Sequence, residues 1–160
     1  MLEPNFNIVL IEPEIPNNTG SIGRTCVGTA SRLHLVGRLG FDIDDRAVRR
    51  AGLDYWDKLD LPGHESFDQL AGQMKDPRRV FYLTTKASRS FFAVEYKKSD
   101  WFIFGKETVG LDDALLREVE AQTLRIPLWG PIRSLNLSNA VSIVVYEAMR
   151  QVLASAEKKQ

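Results

Sequence analysis

The chain reads as an α/β protein, with a mostly parallel sheet flanked by helices. Two observations predict this class: short β-branched and aromatic runs recur along the 160 residues, and segments with helical apolar spacing fall between them. A third supports it, because several of the runs end in polar or glycine-rich loops, where a parallel sheet places its ligands.

Residues 7–11 are an apolar, β-branched run between Pro4 and Pro13 and form the first predicted strand. The stretch PEIPNNTG that follows, from Pro13 to Gly20, is turn-rich, and Pro16 with its paired asparagines is expected to break both strand and helix. Over 21–30, Ile22, Cys26, Val27 and Ala30 stand at helical spacing, while Gly20, Gly23 and Gly28 thin the surface for a close neighbour. RLHLV at 32–36 alternates as a second strand, ended by Gly37 and Gly40. DDRAVRRA at 44–51 has the acidic-to-basic order that a helix dipole favours. Arg46, Arg49 and Arg50 share a face of that helix, with Tyr55 and Trp56 close behind. Such a face suits phosphates and stacked bases, and it equally suits a solvated surface balanced by Asp42, Asp44, Asp45 and Asp57.

A short strand at 58–61 and a helix at 67–74, closed by Pro77, come next. VFYLT at 80–84 and DWFIF at 100–104 are strongly strand-like, and the second runs straight into the glycine-flanked GKETVG. Asp112 caps a helix reaching about Val119, and 124–128 is the last strand. Beyond the break at Trp129, Gly130 and Pro131 lies Arg133-Ser134-Leu135-Asn136-Leu137-Ser138-Asn139, longer and more regular than a strand-to-helix turn requires. Its alternation suggests leucines packed down and polar groups, or the backbone between them, facing a ligand; Asn136 or Ser138 capping the final helix explains it as well. That helix follows Asn139, with Val141, Val144, Val145, Ala148 and Val152 on one face, and the polar end 155–160 is expected to fray.

A chain of 160 residues without a linker or repeat is expected to be one domain, burying roughly two-thirds of its unfolded surface. Lys plus Arg and Asp plus Glu number 21 each, so the chain carries no global positive field, which argues weakly against a protein that holds nucleic acid by charge alone and leaves a local basic patch open. One cysteine excludes an internal disulfide and a cysteine-rich zinc site, and two distant histidines make no metal centre, so no metal is expected. MLEPNFNIVLIEPEIP has no basic leader and too short an apolar run to span a membrane, and a cytoplasmic protein is expected. Gly20, Gly23 and Gly28 make no G-x-G-x-x-G, no G-x-x-x-x-G-K-[ST] is present, and a nucleophile elbow lacks its Ser and His context.

Three runs stand in order and at suitable spacing: NNTGSIGR from Asn17 to Arg24, FGKETVGL from Phe104 to Leu111, and IPLWGPIRSLNLSNAVSIVVYEA from Ile126 to Ala148. Together they resemble the three motifs of the SPOUT class of knotted RNA methyltransferases, over about 150 residues of the chain. RRAGLDYW, from Arg49 to Trp56, narrows the likeness to the subfamily that methylates the ribose 2'-hydroxyl of the tRNA wobble nucleotide, cytidine or uridine 34.

The resemblance implies a deep C-terminal trefoil knot, a homodimer, and S-adenosyl-L-methionine as methyl donor, with the anticodon loop of tRNA as partner. By motif register it places Leu83, Gly105, Ile126 and Ser134 on the donor, with Leu128 and Leu135 lining the same pocket. For Leu83 and Ile126 core packing is the alternative fate. Arg24 is the residue it assigns to the 2'-hydroxyl. A guanidinium stays charged, so its expected work is to stabilise the developing alkoxide and grip a neighbouring phosphate. Asn18 and Asn136 are expected to orient the ribose or hold Arg24; Glu107 is expected to fix Arg24 or its loop, or to be a helix N-terminal carboxylate. Arg46, Arg49, Arg50, Tyr55 and Lys86, with Trp56 and Arg89, are the candidate RNA surface. Two other readings are a related enzyme acting on another tRNA position or on ribosomal RNA, and a knotted RNA-binding module without activity. The run Trp129-Gly130-Pro131-Ile132 is less polar than the family pattern leads one to expect.

Overall fold

Strand β1, Phe6–Ile11, is apolar and buried almost throughout, as a strand covered on both faces must be. In the computed structural model, which describes residues 4–42 and 55–158, it pairs in parallel with β2, Arg32–Val36, on one side and β5, Asp100–Phe104, on the other. Adding β3 (Gly63–His64), β4 (Val80–Leu83) and β6 (Thr123–Leu124) gives a six-stranded, all-parallel sheet in the order β3-β2-β1-β5-β4-β6.

Alternation along the strands divides the apolar residues between two layers. Ile8, Leu10, Leu33, Leu35, Phe102 and Phe104 pack against Ile22 and Cys26 of helix α1 (Pro16–Gly28) and Val141, Val144, Val145 and Ala148 of helix α4 (Leu137–Glu157). Val9, Val36, Val80 and Ile103 face the other way, onto Leu70 of α2 (Phe67–Ala71) and Leu116 of α3 (Asp113–Glu118). Helices α1 and α4 lie together, and Thr25 Oγ1 meets Ser142 Oγ at 3.0 Å.

Several elements differ from expectation, each for a physical reason. Helix α1 begins at Pro16, inside the segment expected to break it. Proline is at ease in a first turn, where its missing N–H has no partner to lose, and the free donors there are met from a distant loop. The close neighbour foreseen for its glycines is real at Gly23, where a Cβ would lie 3.0 Å from Leu59 Cδ2. The predicted helix at 44–51 lies outside the described residues. Residues 56–58 form a 3-10 turn where the 58–61 strand was expected to start, and pairing with β2 is carried by Asp60 and Pro62 carbonyls, which accept from Leu33 and Leu35, before β3 itself. Helix α2 stops at Ala71, with Gly72 as its C-cap. Strand β6 is confined to 123–124: Arg125 turns aside to exchange backbone hydrogen bonds with Arg89 and Phe91, and Pro127 has no donor with which to rejoin a ladder. Helix α4 starts at Leu137 and runs through Glu157, so the end expected to fray is helical that far.

Candidate active site

The direction of chain progression across the sheet reverses between β1 and β5, and parallel α/β sheets hold ligands beyond the carboxyl ends at such a point. A cavity of about 530 Å³ lies there. Its walls come from three loops: Leu83 to Lys86 after β4, Phe104 to Gly110 after β5, and the segment after β6 that includes Ile126, Leu128 and Arg133 to Leu137. Leu83, Gly105, Ile126, Leu128, Ser134 and Leu135, the six residues expected at the donor, all line it. So do Asn18, Glu107, Asn136 and Lys86.

The loop after β5 closes on itself. Lys106 and Gly110 exchange backbone hydrogen bonds of 3.2 and 2.9 Å, and Gly110 takes a φ of 73° that disfavours side chains. The chain folds back so tightly that a Cβ on Gly105 would lie 2.1 Å from the Gly110 carbonyl carbon. Gly105 and Gly110 both line the cavity, so the backbone of this turn forms part of its wall. The leucine and isoleucine walls supply an apolar slot beside it, so these residues fit a flat heterocycle held mostly by main-chain groups.

Glu107, carried by this loop, supplies the cap that α1 lacks. Its carboxylate accepts from Glu14 N at 2.8 Å, Ile15 N at 3.1 Å and Asn18 Nδ2 at 3.2 Å. In return, Glu14 Oε2 accepts from Thr108 N at 3.1 Å and Thr108 Oγ1 at 2.8 Å. Asn18 Oδ1 then accepts from Asn136 Nδ2 at 2.9 Å. Asn136 Oδ1 is left to cap α4, taking Ser138 N at 2.9 Å and Asn139 N at 3.3 Å. A carboxylate only accepts, which fixes the orientation of both amides in turn. Asn136 thus caps a helix and faces the cavity at once. Glu14 and Thr108 have no sequence signal of their own, since their value depends on a contact between residues 94 positions apart.

Cations ring the mouth. The Lys106 ammonium meets Glu12 Oε2 at 2.6 Å and holds that carboxyl below its ordinary range, and Lys86 Nζ pairs with Asp113 on the exposed rim. Arg24 is not among the lining residues. It lies six residues beyond Asn18 on α1, about 9 Å along the axis and about 240° around it, with its guanidinium carbon 5.0 Å from the Tyr55 ring centre. Tyr55 corrects an expectation: it is 6% exposed, its hydroxyl donates to the Gly20 carbonyl and Arg24 covers its ring, so it offers no open face to a base. Arg46, Arg49 and Arg50 lie outside the described residues. Among the described residues no three His, Cys, Asp or Glu side chains gather as a metal site would need, and no helix is long and apolar enough to cross a membrane.

Residues 5–146 match the model of the SpoU rRNA Methylase family. The chain is 48% identical, over 91% of its length and 95% of the relative's, to the tRNA (cytidine(34)-2'-O)-methyltransferase of Burkholderia pseudomallei (strain 1106a). Among solved structures, one that reports structural insights into the 2-OH methylation of C/U34 on tRNA superposes with a TM-score of 0.84 at 38% identity, over 91% of this chain and 95% of that one. The SpoU methyltransferase AviRb from Streptomyces viridochromogenes, in complex with the cofactor AdoMet, superposes with a TM-score of 0.81 at 25% identity, over 94% of this chain and 62% of that one.

Proposed function

The chain belongs to the SpoU methylase family, and on that premise we propose that it transfers a methyl group from S-adenosyl-L-methionine to the ribose 2'-hydroxyl of nucleotide 34 of tRNA, cytidine or modified uridine. The observation that carries this is the convergence of Asn18, Glu107 and Asn136, joined by hydrogen bonds, on one cavity walled by the backbone at Gly105 and the side chains Leu83, Ile126 and Leu128.

Bound there, S-adenosyl-L-methionine supplies an electrophilic methyl group on a sulfonium. The backbone around Leu83, Gly105, Ile126 and Ser134, which line the cavity, would hold it, and Leu128 and Leu135 would help to exclude water. Charge is neutralised as the methyl moves, so the protein's work is alignment, desolvation and management of one proton. The Glu107–Asn18–Asn136 relay keeps the α1 N-terminus, the β5 loop and the α4 N-terminus in register around the reacting atoms. Arg24 stabilises the developing alkoxide and binds a flanking phosphate.

Arg24 acts from a second copy of the chain. Its absence from its own cavity supports this, as do the exposed apolar residues Ile143, Tyr146 and Leu153 on α4, beside α1, which suit a homodimer interface. A deep trefoil knot, with the last strand and helix threaded through the preceding loop to make the donor pocket, is consistent with a cavity walled by the segments after β4, β5 and β6. The chain is a single cytoplasmic domain that builds its tRNA anticodon-loop surface from both subunits, with Lys86, Arg46, Arg49 and Arg50 contributing charge.

The test is transfer of labelled methyl to tRNA from cells that lack the endogenous activity, with the product digested and the modified nucleotide identified. Label on the ribose of nucleotide 34, lost in Arg24→Ala, is expected. Label on a base or at another nucleotide would overturn the assignment.

A further inference from the structure

Adjoining the donor cavity lies a smaller recess of about 280 Å³, lined by Arg125, Pro127 and Trp129 and sharing Thr85, Ile126, Leu128 and Arg133 with its neighbour. Trp129 stands at its edge with a relative exposure of 102%, as open as an indole in an extended chain, although this is the residue type with the most to gain from burial. Among the described residues it makes no ring or cation contact of its own. Arg125 and Arg133 are also exposed, and their side chains make no hydrogen bond or ion pair among the described residues, whereas Lys86, Lys106 and Arg150 each have a carboxylate partner. No carboxylate lines the recess.

An open indole and two unpaired arginines lining one recess, adjoining a methyl-donor cavity, have the makings of a single-stranded nucleic acid site: a face for a base and charge for neighbouring phosphates. We infer that Trp129 is a stacking platform for a nucleobase of the RNA substrate next to the nucleotide being methylated, and that Arg125 and Arg133 hold the flanking backbone. Trp129 is not among the residues that line the donor cavity, whose apolar side chains include Leu83, Ile126, Leu128 and Leu135. Gly130 and Pro131, which follow directly, form a bend, and both are exposed as Trp129 is.

This inference rests on the tRNA reading above, and the experiment separates the two. Wild type, Trp129→Ala and Trp129→Phe are compared for KM and kcat on tRNA, direct binding of an anticodon stem-loop, S-adenosyl-L-methionine affinity by calorimetry, and mass in solution. Stem-loop affinity and KM are expected to weaken about five- to a hundred-fold in Trp129→Ala and to recover largely in Trp129→Phe, with donor affinity and mass unchanged. The salt dependence of binding is expected to keep its slope in Trp129→Ala and to lose about one unit in each of Arg125→Gln and Arg133→Gln. Unchanged stem-loop binding in Trp129→Ala would overturn the platform. A parallel fall in donor affinity would make the indole a lid on the donor, and a change of mass would make it part of the subunit interface; either result also overturns it. Failure of the wild type to bind or methylate tRNA would instead refute the functional reading itself.

Discussion

Asn136 Nδ2 donates to Asn18 Oδ1 at 2.9 Å across 118 residues of sequence, and this bond joins the N-termini of the two helices that cover one face of the sheet. Each amide has its other end committed, Asn18 to Glu107 and Asn136 to the first turn of α4. Asn18 is 6% exposed, so water is a poor substitute for either partner.

Asn18→Asp keeps the shape and reverses the donor that faces Glu107, setting two carboxylates against each other. A loss of about 1–3 kcal/mol is expected. It would be read as a melting temperature several degrees lower, with methyl transfer falling further than donor binding. An unchanged melt would show that the relay carries no stability.

Gly105→Ala is expected to abolish donor binding in calorimetry, because the added methyl collides with backbone at Gly110 that the β5 loop cannot move without opening. Gly130→Ala, in the segment after β6 and with nothing within 4 Å of the added carbon, is the control and is expected to bind normally. Equal binding by both variants would count against the backbone cradle.

Much of the fold can be read directly from local pattern. Strands β1, β2 and β5 are continuous apolar or alternating runs whose ends are marked by proline or glycine, and α3 starts at the Asp112 cap, which accepts from Ala114 N at 2.7 Å. The start of α1 is not legible in this way, since its cap is a carboxylate 92 residues away and the local sequence offers only proline and asparagines. The end of β6 was obscured for a similar reason: Ile126 to Leu128 have strand character, but a cavity wall and not a neighbouring strand claims them. Motif register brought cavity-lining residues such as Leu83, Gly105 and Ser134 forward, yet it could not show that Tyr55 is buried beneath Arg24, because an aromatic beside arginines looks the same in sequence whether packed or open.

His34 makes stability depend on pH. It is 1% exposed, between His64, whose Nε2 lies 3.0 Å from its Nδ1, and Asn7, and burial with help from the neighbouring His64 and Arg32 lowers its pKa to about 3 from an ordinary 6.5. Between those values the unfolded chain binds more protons than the folded one, so stability is complete above pH 6.5 and is lost on acidification at up to about 1.4 kcal/mol per unit. About 2 kcal/mol is expected to be lost by pH 5 in urea titrations, and the slope should flatten in His34→Gln. An equal slope in both proteins would remove His34 as the source.

Arg79 and Asp100 form a largely buried pair at the start of β5. Arg79 Nε donates to Asp100 Oδ1 at 2.7 Å, and Lys97 N donates to Oδ2 at 2.7 Å; burial nevertheless raises the carboxyl above its usual range. Arg79→Ala strands that carboxylate and is expected to cost about 3–5 kcal/mol in chemical denaturation. Adding Asp100→Asn should recover part of the loss, and no recovery would mean that the arginine acts through packing alone.

The most direct test of the central claim removes one oxygen. A tRNA with 2'-deoxyribose at nucleotide 34 alone is compared with its all-ribose twin as acceptor of labelled methyl from S-adenosyl-L-methionine. The ribose tRNA is expected to take up one methyl per molecule and the deoxy tRNA none, while both bind equally well. Methylation of the deoxy tRNA to the same extent would contradict the account, since the acceptor would then be some other atom.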